Sequence, residues 1–283
     1  MSFKYNLIMK SILFSIMLFL IVSNCYAETA EEHLNSGISF VKQGKFDLAI
    51  SELNKALILN PNLVRAYNNL GIAYYHEGKF DKAISEFNEE IELNPNYARA
   101  YYNRADVYRT KGNSDQAISD YSKAIEHDPK DSDSYNNRGV TYGIKGQYEL
   151  AISDFNKAIA LNPKITNYYN DRAKAYSYIG NLDKALIDTK QVLQLNPKDA
   201  LAYNMLGTLN DDKGNHDQAI SEYNKAIELN PNFTEAYYNR SLDYYDMKEL
   251  DRAWDDIHKV KSLNGSIDPK FLEDLKKASG RDK

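Results

Sequence analysis

Six prolines, Pro61, Pro95, Pro129, Pro163, Pro197 and Pro231, stand 34 residues apart with no insertion or deletion between them. A fixed period between 20 and 50 residues marks an array of one copied supersecondary unit, each copy burying its apolar face against the next. The frame divides the chain into units at 30–63, 64–97, 98–131, 132–165, 166–199, 200–233 and 234–267. Function must then be sought on a repeated surface, not in one catalytic pocket.

Within the frame, position 20 is alanine in every unit, from Ala49 to Ala253, and position 15 is glycine in six, from Gly44 to Gly214. Position 8 is always small, as at Gly37, Gly71 and Ala105. Position 4 is tyrosine in six units (Tyr67 is the first), and position 11 is aromatic in six, starting with Phe40 and Tyr74. Tyr67, Leu70, Gly71 and Tyr74 recur at the spacing of one helical face, and Ala83, Ile84, Phe87 and Ile91 form a second. Gly78 breaks the chain between them, and Asp81 suits the start of the following helix. Asn94-Pro95 ends that second helix, since proline disfavours helical geometry in the residue before it. Small side chains at positions 8 and 20 let the two helices approach closely.

The ordered pattern of position-4 aromatic, Leu-Gly, Tyr, Ala, Phe, Ala and Pro resembles the tetratricopeptide repeat family over Ala30 to about Leu263. The resemblance implies an all-α fold: an α-solenoid, wound as a right-handed superhelix, of seven 34-residue helix-turn-helix repeats. Four residues depart from the pattern: His33, Asn210, Lys248 and Gly265 stand for an aromatic, a tyrosine, a glycine and a proline. Terminal repeats are often atypical because they cap the stack; Asn210 is internal. Over residues 268–283, Asp268-Pro269 followed by Phe271, Leu272, Leu275 and Ala278 predicts a C-terminal capping helix with Asp268 as N-cap.

Residues 1–27 lie outside the repeat. Lys4 and Lys10 precede an apolar run from Ser11 to Val22, and Cys25-Tyr26-Ala27 offers a small-x-small cleavage site, the layout of a secretory signal peptide. The expectation is export, to the periplasm or the exterior, with a mature N-terminus at Glu28. Val22-Ser23-Asn24-Cys25 partly resembles a lipobox, so the alternative is a lipid anchor to the envelope through Cys25. A further alternative, an uncleaved anchor, has a run short for a spanning helix. Cys25 is the only cysteine, so the exported part has no disulfide or thiolate chemistry.

The chain carries 35 basic and 40 acidic residues, a net charge of −5, which falls to −7 without Lys4 and Lys10. Nucleic-acid binding is not expected, because neutralising phosphates needs a basic stripe. Most of the 23 tyrosines occupy frame positions and belong to the core rather than to a base- or sugar-stacking platform. No nucleophile elbow, phosphate loop or dinucleotide signature occurs. His33, His76, His127, His216 and His258 lie far apart, so helical metal spacing between histidines is absent. Adjacent Asp211 and Asp212 point in different directions on a helix. Neither enzyme activity nor a cofactor or metal is expected.

Position 7 is arginine in four units (Arg104, Arg138, Arg172, Arg240), and position 23 is aspartate in those same four (Asp120, Asp154, Asp188, Asp256). Elsewhere position 23 is Glu52, Glu86 or Glu222. The agreement predicts an Arg–Asp pair between the two helices of one unit; two copied repeat subtypes would give the same table without contact. A partly exposed pair of this kind is worth only ~0.2–1 kcal/mol. Glu90 stands at position 27, where other units carry alanine or valine. A carboxylate on a packing face needs a partner, and Arg104 is the nearest candidate.

In the family resembled here, the first helix of each unit lines a concave groove. Position 6 is Asn35, Asn69, Asn103, Asn137 and Asn239, and position 5 adds Asn68, Asn136, Asn170 and Asn204. A side-chain amide offers donor and acceptor together, so such a row can pair with an extended peptide backbone. The row resembles the asparagine ladder of O-linked N-acetylglucosamine transferase repeats; the other reading is tolerated polar surface. Arg65, Arg99 and Arg109 lie on the same face. Asp133, Asp171, Asp211 and Asp246 occupy later units. A carboxylate clamp for a chaperone C-terminus is not met, because position 5 never carries lysine and position 9 never asparagine. The expectation is therefore a non-catalytic scaffold that binds an extended segment of a protein partner. Two alternatives remain: a self-associating, homo-oligomeric envelope protein, and a glycan or polymer carrier using Tyr75, Tyr102, Tyr178, Tyr238 and Tyr245.

Overall fold

A computed structural model describes residues 29–281; the expected signal segment, the expected cleavage after Ala27 and the alternative anchor at Cys25 lie outside the described residues. The described residues are helical, with no strand among them. Each 34-residue repeat holds two helices, and a final helix follows the seventh. In chain order the pairs are α1 (Ala30–Lys42) with α2 (Phe46–Leu59), α3 (Val64–His76) with α4 (Phe80–Leu93), and α5 (Ala98–Thr110) with α6 (Ser114–His127). Then come α7 (Ser132–Ile144) with α8 (Tyr148–Leu161), and α9 (Thr166–Tyr178) with α10 (Leu182–Leu195). Last are α11 (Ala200–Asp211) with α12 (His216–Leu229), α13 (Thr234–Asp246) with α14 (Leu250–Ser262), and the single α15 (Pro269–Ser279). From α3 to α14 the first residue of each helix falls 34 residues after its counterpart. The frame drawn from proline spacing is thus the frame of the helices.

Two compact units divide the chain, one ending at Asn113 and the other beginning at Ser114. In each, the first helix of a repeat packs on its own second helix, and that second helix packs on the first helix of the next repeat. This is the α-solenoid mode of stacking. The position-8 side chains explain the close approach: a Cβ on Gly71 would sit 2.5 Å from the Phe87 ring. Position 20 is fully buried in every repeat. The position-4 tyrosines do more than pack. The hydroxyls of Tyr67, Tyr101, Tyr169 and Tyr237 donate to the carbonyls of Pro61, Pro95, Pro163 and Pro231 at 3.0–3.4 Å, tying down the turn before each repeat.

The inter-helix Arg–Asp pair is present in repeats four, five and seven. Arg138, Arg172 and Arg240 each grip their aspartate through Nε and Nη2, at 2.6–2.8 Å. The third nitrogen of each reaches the preceding repeat, at Ser122, Asn156 and Asn224. One guanidinium therefore bonds two successive second helices. These carboxylates are 4–8 % exposed, so the expectation of a partly exposed, low-value pair is corrected. Removing one partner would leave a buried charge uncompensated.

Both ends are capped by side chains. Thr29 and Glu32 make a reciprocal capping box at the start of α1. At the other end Asp268 accepts from the Lys270 amide, Pro269 opens α15, and Phe271 and Leu275 are buried. Ala278, expected in that apolar stripe, is instead exposed; the next residue, Ser279, reaches inward and accepts from Trp254 Nε1 at 2.9 Å. Lys248 replaces the repeat glycine in the left-handed conformation that the turn requires, with φ 65°.

Candidate functional site

In the first unit the first-helix face carries two hollows, one repeat apart. Ile38, Arg65, Asn68, Asn69, Glu90 and Tyr97 line one of about 470 Å³. Ile72, Tyr75, Arg99, Tyr102, Asn103 and Asp106 line the other, of about 250 Å³. Each hollow brings together the arginine at position 2 and the asparagine at position 6 of one helix, residues one turn apart on the same face. Arg65 is exposed and reaches Glu31 at 3.4 Å. Arg99 lies over the Tyr102 ring at 4.4 Å. Arg109 pairs with Asp106 at 3.3 Å. Asn69 donates to the Arg65 carbonyl at 2.7 Å, and Asn35 is exposed on α1.

Position 5 behaves differently, because its amides bond inside the fold. Asn68 donates to Glu90 Oε2 at 3.1 Å. Asn136, buried, donates to Asp171 Oδ2 at 3.1 Å. Asn204, also buried, accepts from Asn239 at 3.3 Å. Asn137 and Asn170 are half-buried on α7 and α9. Glu90 is fully buried, its Oε1 has no partner, and burial pushes its carboxyl up to about 7 against the pull of Asn68. The expected partner, Arg104, turns instead to Asn88 at 2.6 Å. Arg104 lies one repeat further on, and its guanidinium bonds the Asn88 amide on the same helix as Glu90.

In the second unit an open hollow of about 430 Å³ is lined by Val140, Tyr148, Phe155, Asp171, Lys174 and Tyr178. Tyr178 is 72 % exposed and stacks on Tyr148 with centroids 4.9 Å apart. Asp133 accepts from the Tyr168 hydroxyl at 2.6 Å. Two of the five tyrosines considered for sugar stacking are not free platforms: Tyr238 and Tyr245 meet Phe271 edge-on beneath α15. The apolar stripe of the capping helix uses those rings as its floor.

A polar cluster also forms where α11, α12 and α13 meet. His216 Nδ1 lies 2.6 Å from Asp243 Oδ1 and 3.2 Å from Asp211 Oδ1. Asp243 is 1 % exposed, and its Oδ2 has no hydrogen-bond partner. Burial pushes the Asp243 carboxyl up to about 7, and the Asp243 carboxylate in turn raises the His216 imidazole. Comparing histidines only with one another missed this group. The signal was in the frame: His216 fills a position that is apolar in five other repeats, and Asp243 a position that is small or apolar in all six others.

Family models described as tetratricopeptide repeat or TPR repeat match residues 34–98, 98–131, 132–165, 166–199 and 212–248. The chain belongs to the tetratricopeptide repeat family. No curated protein matches it. Among solved structures, a tetratricopeptide repeat protein from Parabacteroides merdae is 22% identical, with TM-score 0.68 over 89% of this chain and 99% of that one. MamA is 31% identical, with TM-score 0.52 over 56% of this chain and 94% of its own. YrrB, described as a TPR protein with an unusual peptide-binding site, is 24% identical, with TM-score 0.55 over 65% and 95%.

Proposed function

We propose that the chain holds an extended segment of a protein partner along the first-helix face of residues 29–113. The observation that carries this reading is the repeated pair of hollows, with Arg65 and Asn69 in one and Arg99 and Asn103 in the next. An amide beside a guanidinium, repeated at one helix-pair step, suits a peptide backbone carrying acidic side chains. The amide meets alternating N–H and C=O groups, and the guanidinium meets a carboxylate with fork geometry. The peptide-binding site described for YrrB, which shares the fold, supports the same use of this architecture.

The test is binding of an acidic, extended peptide library to the chain and to the Asn69→Ala, Asn103→Ala double variant. Each lost hydrogen bond is worth ~0.5–1.5 kcal/mol, so binding should weaken by roughly one to two orders of magnitude. Melting should hardly move, since surface changes usually stay within about 0.5 kcal/mol. Unchanged affinity in the double variant removes these amides from the site.

A further inference from the structure

Three residues meet at one point, two of them breaking the repeat frame. Asp211 ends α11, His216 opens α12, and Asp243 lies on the buried face of α13. Their ligand atoms all lie within 4.8 Å of one another. We propose that Asp211, His216 and Asp243 bind one divalent first-row transition ion, with Zn2+ as its type, joining the sixth and seventh repeats.

The donor set argues for this class of ion. One imidazole nitrogen and two carboxylates form a mixed N/O set, which suits zinc, cobalt or nickel, whereas magnesium and calcium favour oxygen alone. Zinc holds nitrogen and oxygen at about 2.0–2.2 Å, so donors sharing it stand about 3 Å apart. His216 already lies 2.6 and 3.2 Å from its two carboxylate neighbours. Two carboxylates balance a divalent charge, and the ion replaces the proton between Nδ1 and Asp243 Oδ1.

A second, independent observation concerns Asp243 alone. Its side chain is fully buried, yet Oδ2 bonds nothing. An orphaned buried carboxylate oxygen is costly unless something electropositive meets it. The nearby charges do not offset it: Asp212 and Asp246 add further negative charge around Asp211 and His216. His216 and Asp211 are each about a third exposed, which leaves the solvent side open for water to complete the coordination. Three chain ligands with an open position is a common arrangement for zinc.

The full chain, free of any histidine tag and stripped with a chelator, would be titrated with Zn2+ by calorimetry. Mg2+ and Ca2+ serve as controls, and Co2+ gives a visible absorption spectrum on ligation by nitrogen and oxygen. One saturable Zn2+ site per chain is expected, with a raised melting temperature. His216→Ala and Asp211→Asn should each lose at least tenfold in affinity. Asp211 is part-exposed at a helix end, so its variant keeps the test usable if His216→Ala unfolds. The absence of saturable Zn2+ binding overturns the proposal, and so does unchanged affinity in a folded His216→Ala or Asp211→Asn variant. Equal binding of Mg2+ overturns the assignment to a transition ion.

Discussion

Where the fourth repeat meets the fifth, Tyr148 stacks on Tyr178, and Ala175 fills the buried position beside them. Where the sixth meets the seventh, the same three frame positions hold His216, Asp246 and Asp243. The helices start in the same register in both places. Backbone geometry is therefore set by what the junctions share, namely small residues at positions 8 and 20, the turn glycine and the proline. Positions 10, 13 and 17 are free to be changed without altering the stack. One junction uses them for apolar packing, and the other concentrates unlike charges around a buried carboxylate. In a repeat protein stability is close to a sum of unit and interface contributions, so a polar interface can be carried by its neighbours.

The guanidinium bridge is common ground between the two junctions. Arg172 bonds Asp188 and Asn156 at the apolar junction, and Arg240 bonds Asp256 and Asn224 at the polar one. Removing either arginine leaves a buried aspartate unpaired, at ~3–5 kcal/mol. Arg172→Ala and Arg240→Ala should lower stability by similar amounts in chemical denaturation. A cost well under 1 kcal/mol at Arg240 alone, against the range expected for a buried pair, would show that the two junctions differ in more than positions 10, 13 and 17.

Glu90 sharpens the contrast, because it is a buried carboxylate with one orphaned oxygen and no imidazole beside it. Its folded-state pKa is about 7, above the usual 4.5, because burial disfavours the charged form. The folded chain therefore holds a proton that the unfolded chain has released between those values. The Glu90 contribution to stability must fall as pH rises from 4.5 to 7 and level off above, by on the order of 3 kcal/mol. Glu90→Gln should remove that slope, matching the parent near the low end of this range and exceeding it above the high end. Parallel melting profiles for the two proteins across this range would show that Glu90 does not titrate as a buried acid.

Much of this was legible in the chain. Helix boundaries, the seven-fold frame, the Arg–Asp pairing and the burial of Phe271 and Leu275 all come from periodicity, which local sequence carries. The part that was not legible depends on which side chain a neighbouring helix presents. Asn68 meets Glu90 across 22 residues, and His216 meets Asp243 across 27, each between different helices. Position-5 asparagines read as surface in one repeat, yet Asn136 and Asn204 are buried where the first helix of the next repeat brings Asp171 and Asn239 against them. Asn210, unexplained by the frame, is buried, and its amide donates to the Leu206 carbonyl at 2.9 Å, one residue before Asp211. It begins the segment, Asn210 to His216, that carries two residues of the polar cluster.

The smallest expected effect bears on whether the polar junction sacrifices stability. Position 10 of the sixth repeat is Leu209, fully buried, and the equivalent residue of the seventh is Asp243. Replacing a buried, half-satisfied carboxylate by an apolar side chain of similar volume is often neutral or stabilising. Asp243→Leu would remove the orphaned Oδ2 and free His216 to bond Asp211 or water at its exposed edge. In chelator-treated buffer at neutral pH, the variant should be more stable than the parent by about 1–2 kcal/mol. With Zn2+ present the order should reverse or close, because only the parent gains stability from a ligand that binds the folded state. A loss of stability in Asp243→Leu without metal would mean that the Asp243–His216 pair itself holds the junction, and that the two junctions are equally optimised by different chemistry.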